Sequence, residues 1–182
     1  MKKIAAVFMG IVISFSTQVV FAQPADASIT QDDTLILQIP SVGFSSDPGK
    51  YQNIMLQSGE TELTWTLLSG DTVDKINTVS TVSVVKTSEV PVQVLLKVGG
   101  NIATCVDAGK YAFTINENKI DTFLYYDPAT VPPAGTGCVD TVKPFVKVIP
   151  LPVYGLDAGE YSFSINGKLN GTFTLTVRNE LP

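Results

Sequence analysis

From Thr34 onward the apolar side chains recur at every second position, and this period limits the possible folds more than any other feature of the sequence. Val92, Val94, Leu96 and Val98 alternate with Pro91, Gln93, Leu95 and Lys97. Tyr111, Phe113 and Ile115 alternate with Ala112, Thr114 and Asn116, and Tyr161, Phe163 and Ile165 with Ser162, Ser164 and Asn166. Phe173, Leu175 and Val177 alternate with Thr172, Thr174 and Thr176. Successive side chains of a strand point to opposite faces, so each run reads as a half-buried antiparallel strand. Glycine and proline recur at intervals too short for a helix of a dozen residues.

The turn residues agree with this reading. Asn166-Gly167 and Asn170-Gly171 are expected to bracket the last hairpin, because Asn-Gly supplies the positive φ that a tight turn needs. Asp107-Ala108-Gly109 and Asp157-Ala158-Gly159 each lead into an aromatic-alternating strand. The segments at 107–116 and 157–166 echo one another, as the same hairpin solution used twice or as a duplicated unit. About ten short strands without helices predict an all-β, immunoglobulin-like antiparallel β-sandwich over residues 75–178. A small N-terminal β-segment is expected at residues 34–71, with a turn at Asp47-Pro48-Gly49-Lys50, as an appendage or as extra strands of the sandwich. Trp65 is expected in the core.

The first residues have a different character. Lys2 and Lys3 precede an uncharged apolar run from Ile4 to Ile13, and Val20-Phe21-Ala22 places small or modest side chains where a signal peptidase reads. Ser14, Ser16, Thr17 and Gln18 dilute the run below what a membrane span of about 20 apolar residues needs. Residues 1–22 are therefore expected to be a cleaved signal peptide of bacterial type, followed by a flexible lead at 23–33. The remaining chain, about 160 residues, suffices for one domain with a real core. Its destination is the periplasm or the cell exterior. There an even count of two cysteines predicts a Cys105–Cys138 disulfide.

Thr141-Val142-Lys143-Pro144-Phe145-Val146-Lys147-Val148-Ile149-Pro150-Leu151, continued by Val153-Tyr154-Gly155-Leu156-Asp157-Ala158-Gly159-Glu160-Tyr161, resembles a recurrent ending of exported bacterial immunoglobulin-like β-sandwich domains. Pro91-Val92-Gln93-Val94, Cys105 and Cys138 fit that resemblance. Ile39-Pro40-Ser41-Val42 with Tyr51-Gln52-Asn53-Ile54-Met55-Leu56 is similar to a short β-motif of uncharacterised secreted bacterial proteins. The resemblance implies a fold and carries over no catalytic residue.

Chemistry is narrowed mostly by what the composition lacks. There is no histidine, which removes Ser-His-Asp and Cys-His catalysis and every histidine metal site. A Ser-Lys pair stays conceivable, although accidental neighbours are to be expected among 16% charged residues. The acids open to paired-carboxylate chemistry are Glu60, Glu62, Asp71, Asp74, Asp121, Asp127 and Asp140, most of them in or beside turns. Neither Asp32-Asp33 nor Asp127 with Asp140 approaches a calcium loop. Gly99-Gly100, expected to follow a turn, leads into no helix and cradles no phosphate. The net charge of −5, more acidic still without Lys2 and Lys3, argues against nucleic acid and anionic membranes.

Recognition is what remains. The proline-rich loop from Asp127 to Cys138 is long for a compact domain, and its prolines and disulfide lower the entropy lost on binding. Tyr125 and Tyr126 precede it on a strand and face opposite ways, so one is expected to be exposed or at a rim. Tyr125, Tyr126, Asp127, Pro132 and Pro133 form the candidate recognition set, with no cofactor and no metal. The expected function is an exported, non-enzymatic binding or structural module for a protein or glycan partner. An inhibitor or ligand-binding protein acting through the 127–138 loop is the alternative.

Overall fold

The alternating runs become strands in the computed structural model, which describes residues 19–22, 27–31, 35–59 and 64–181. Among the described residues there are twelve strands and no helix. They are β1 (Val19–Ala22), β2 (Ser28–Gln31), β3 (Leu35–Phe44), β4 (Asp47–Ser58), β5 (Trp65–Thr72), β6 (Val79–Lys86), β7 (Val94–Ala103), β8 (Ala108–Asn116), β9 (Lys119–Tyr126), β10 (Val142–Pro150), β11 (Gly159–Ile165) and β12 (Leu169–Leu175). Of the expected signal at 1–22, all but Val19–Ala22 lies outside the described residues. Within the lead expected to be flexible, Ser28–Gln31 is a strand paired with β3, and residues 23–26 and 32–33 lie outside.

Two sheets make the sandwich. One has the order β1-β8-β9-β11-β12 and the other β10-β7-β6. All of their ladders are antiparallel except β9–β11, where Ser162 to Ile165 run parallel to Lys119 to Thr122. The chain reaches that parallel place by crossing to the second sheet for β10, since parallel neighbours need a crossover. The core lies between the sheets. Val94, Leu96 and Val98 of β7 meet Phe113, Ile120, Leu124, Phe163, Ile165 and Phe173 there. Each such side chain contributes about 1.5–3 kcal/mol by leaving water.

The echoed segments hold equivalent places in the five-stranded sheet, with Tyr111 and Phe113 matching Tyr161 and Phe163 in the core. Their turns differ. The first hairpin closes from Asn116 to Lys119 over two residues, and the second from Ile165 to Leu169 over three. Asn166 (φ 49°) and Gly167 (φ 69°) supply the expected positive φ. Asn170-Gly171, expected at a turn, lies inside β12 instead. A Cβ on Gly171 would sit 2.5 Å from the Phe163 ring, so the glycine makes room for an aromatic neighbour. Gly99-Gly100 likewise lies within β7 rather than after a turn.

The third sheet, β2-β3-β4-β5, rests on the outer side of β8 and β9. Its first turn falls at Ser45-Ser46, and Asp47-Pro48-Gly49-Lys50, expected to be that turn, begins β4. Pro48 and Gly49 are buried there because they form the seam with the sandwich. The Tyr125 hydroxyl donates to the Pro48 carbonyl at 2.7 Å. Gly49 has φ +79°, and a Cβ on it would lie 2.9 Å from the Ala112 Cβ. Lys75 pairs with Asp47 and lies 4.5 Å over the Phe123 ring, while Lys110 donates to the Pro40 carbonyl at 2.8 Å. The linking residues then join the sandwich, with Ile76 donating to the Leu124 carbonyl at 2.9 Å.

The disulfide joins Cys105, just after β7, to Cys138, just before β10. It closes a loop between residues 33 apart in sequence, for which the chain-entropy picture gives about 3–4 kcal/mol. Reduction is expected to lower the thermal midpoint by on the order of 10 °C, read by circular dichroism with and without reductant. An unchanged midpoint after verified reduction would remove the clamp.

The seam also predicts a pH dependence. The hydrogen bond from Lys75 holds the Asp47 carboxyl below its ordinary 3.8, against an opposing effect of burial. A depressed carboxyl contributes stability above its unfolded value and loses it as pH falls through the folded one. Urea midpoints should therefore fall as pH drops below the ordinary carboxyl value of 3.8, and less steeply in Lys75→Met than in the parent. Equal slopes would show that the pair contributes nothing.

Candidate recognition surface

The 127–138 loop is built from turns tied to the sandwich at its base. Asp127 Oδ1 accepts from the Ala129 amide at 3.0 Å, and the Asp127 carbonyl accepts from the Thr130 amide and hydroxyl. Thr130 Oγ1 in turn accepts the Asp107 amide at 2.9 Å, and Asp107 pairs with Lys143 at 2.6 Å. Near the tip, the Thr136 amide and hydroxyl both donate to the Pro133 carbonyl. A Cβ on Gly135 or Gly137 would meet nothing within 4 Å, so this part of the loop stands free in solvent.

The expected recognition residues do not converge. Tyr125 is 1% exposed, sealed under Pro48, and burial together with the nearby Asp47 charge pushes its hydroxyl well above the ordinary tyrosine range. Tyr126 is half-buried against the core. Tyr125 is covered because the third sheet lies over the outer face of β9, whereas Tyr126 lies at the rim of the cavity between Asp47 and Asn77. The Asp127 side chain is engaged in the turn. Pro132 is half-buried and Pro133 exposed, so the prolines remain at the surface.

A larger accessible surface lies on the third sheet. Register places Ile29, Leu37, Leu56 and Leu67 in one row across its four strands. Leu35, Ile39, Ile54 and Trp65 are each two positions away along their strands and share that face. Ile29 and Leu67 are both 62% exposed, and Trp65, expected in the core, is 39% exposed. β5 is exposed along its whole length, and among the described residues no second layer lies over it. The spacing of Leu35, Leu37 and Ile39 puts them on one face of a strand, but spacing does not report whether anything covers that face. A smaller apolar strip runs along β10, where Val142, Val146 and Val148 are exposed.

A cavity of about 470 Å³ opens at the seam between Asp47, Lys50, Val73, Asp74, Lys75, Asn77, Tyr125 and Tyr126. Its charges neutralise one another locally, Lys75 being paired with Asp47. Tyr111 and Tyr161 are pushed up chiefly by burial. Ser83 and Lys86 have Ser-x-x-Lys spacing, yet they lie on β6, where an offset of three puts them on opposite faces. Lys86 Nζ donates instead to the Thr174 carbonyl at 3.0 Å. Among the acids, Asp71 accepts from Asn53 at 2.7 Å and Asp121 from Ser164 at 2.6 Å. Glu60, Glu62, Asp32 and Asp33 lie outside the described residues. Among the described residues no three of His, Cys, Asp and Glu come together as a metal site.

No curated protein and no solved structure matches the chain. Residues 96–175, from within β7 to the end of β12, match the family model of the ORF11 beta-sandwich domain.

Proposed function

We propose that the protein is an exported, non-enzymatic binding or structural module that works through a protein partner. The apolar face of the third sheet carries this reading. Contiguous exposed apolar area of this kind marks an interaction site, and each large side chain gains about 1.5–3 kcal/mol when covered. The face offers Leu, Ile and Trp side chains with no charged residue in the row Ile29–Leu37–Leu56–Leu67. That chemistry suits a polypeptide better than a glycan, which needs several hydrogen-bonding side chains beside an aromatic one. Export is supported by Lys2 and Lys3, the apolar run, Val20-Phe21-Ala22 and the disulfide.

A photo-crosslinking residue at position 67, in cells producing the protein, should give a discrete higher-mass adduct. The same residue at position 160, where an exposed Glu lies on β11, should not. Leu67→Glu should reduce recovery of that partner on affinity purification by at least tenfold without changing the unfolding midpoint. Adducts of equal yield from both positions, or none from position 67, would count against the surface.

The exposed, proline-stiffened tip of the 127–138 loop favours a second reading, an inhibitor or ligand-binding protein that inserts this loop into a target. Replacing Pro132 and Pro133 with serine should then weaken the complex while leaving the disulfide and fold intact. An unchanged complex would remove this reading.

A further inference from the structure

The four free edges of the sandwich are protected unequally. The outer edge strand β10 carries Lys143, Pro144, Lys147 and Pro150, residues that blunt an edge against strand addition. At the other side of the sandwich β6 and β12 lie against one another, and Lys86 of β6 donates to the Thr174 carbonyl of β12. β8 has neither device. From Tyr111 to Ile115 it has no charge and no proline, and its pairing with β9 is regular over Tyr111 to Asn116. Its outer edge is filled by β1, antiparallel, with Val19 opposite Ile115, Val20 opposite Thr114, Phe21 opposite Phe113 and Ala22 opposite Ala112.

Val19–Ala22 is also the end of the segment read as a cleaved export signal. We propose that the β8 edge is a strand-acceptor site: cleavage after Ala22 removes its occupant, and an extended apolar segment of another exported polypeptide completes the sheet there. This rests on the export reading. With β1 gone, the backbone of Ala112–Ile115 has a row of unpaired groups beside Phe113, whose side chain belongs to the core. A strand in the observed register sets its positions opposite Phe113 and Ile115 on the core-facing side, and those positions call for apolar residues.

The residues that adjoin the cleavage point are poorly suited to replace β1. The residues that follow the cleavage point, Gln23-Pro24-Ala25-Asp26-Ala27, include a proline and an aspartate, and Ser28–Gln31 is already paired with β3. β4 lies against both β1 and β8, so a strand added at this edge also packs against β4.

The test begins with intact mass of the protein recovered from the exported fraction. A labelled peptide with the sequence of residues 17–24 is then titrated into it by fluorescence anisotropy. The expected results are loss of residues 1–22 and saturable binding of the peptide. Binding should weaken at least tenfold when alternate backbone nitrogens of the peptide are methylated, and similarly for the Phe21→Asp peptide. Retention of residues 1–22 would overturn both the export reading and the opening of the edge. Removal of those residues without peptide binding by a monomeric protein would overturn the acceptor site and leave export standing. A dimer dissociated by the peptide would assign the edge to a second copy and overturn the foreign strand.

Discussion

At Leu124 and Tyr125, strand β9 is buried on both faces, and the placing of all three sheets follows from that constraint. Neighbouring residues of a strand point opposite ways, so two separate layers must cover them. Leu124 faces the core shared with β7. Tyr125 faces outward and is covered by Pro48 and Gly49 of the third sheet, which accepts its hydroxyl hydrogen bond. The same stretch is held along its backbone by Asn166, whose Oδ1 accepts the Leu124 amide at 2.8 Å and whose Nδ2 donates to the carbonyls of Leu124 and Ile76. A half-buried amide with its oxygen and both hydrogens paired favours one arrangement, because a slip would leave polar atoms unsatisfied.

This explains which parts of the fold were legible in the sequence. β7, β11 and β12 alternate cleanly because one face meets the core and the other meets water. The sandwich class, the absence of helix among the described residues and the Cys105–Cys138 pairing all follow from local signals of that kind. Which of Tyr125 and Tyr126 would be covered was not legible, because the cover of Tyr125 comes from residues 77 positions away. Trp65 was misread. A lone tryptophan in an alternating strand is a good core residue wherever a second layer exists, and among the described residues none lies over β5.

Two Asn-Gly dipeptides show where local chemistry stops being decisive. Asn166-Gly167 turns the chain, and Asn166 also bonds to β9 and Ile76. Asn170-Gly171 has the same residues four positions on, yet it continues β12, since Gly171 is shaped by the Phe163 ring on the neighbouring strand. The turn preference was real in both. Cross-strand packing decided between them, and packing of that sort is absent from any window of a few residues. Asn179 is a comparable case near the end of the chain. It is 1% exposed and exchanges hydrogen bonds with Val92 while donating to the Val153 carbonyl, a role that a sequence pattern does not reveal.

The unprotected edge and the uncovered face belong to one neighbourhood of the molecule. β4 carries Ile54 and Leu56 on the apolar face, and it also lies against β1 and β8. A strand seated in place of β1 therefore arrives beside β4, not at a remote point of the surface. Covering apolar side chains supplies free energy without directional preference, whereas backbone pairing along β8 imposes direction and register. A polypeptide partner that engaged both would gain affinity from the first and orientation from the second. The 127–138 loop stands apart from this region, tied through Asp107 and Thr130 to the other end of β8, so the two binding surfaces can be altered independently.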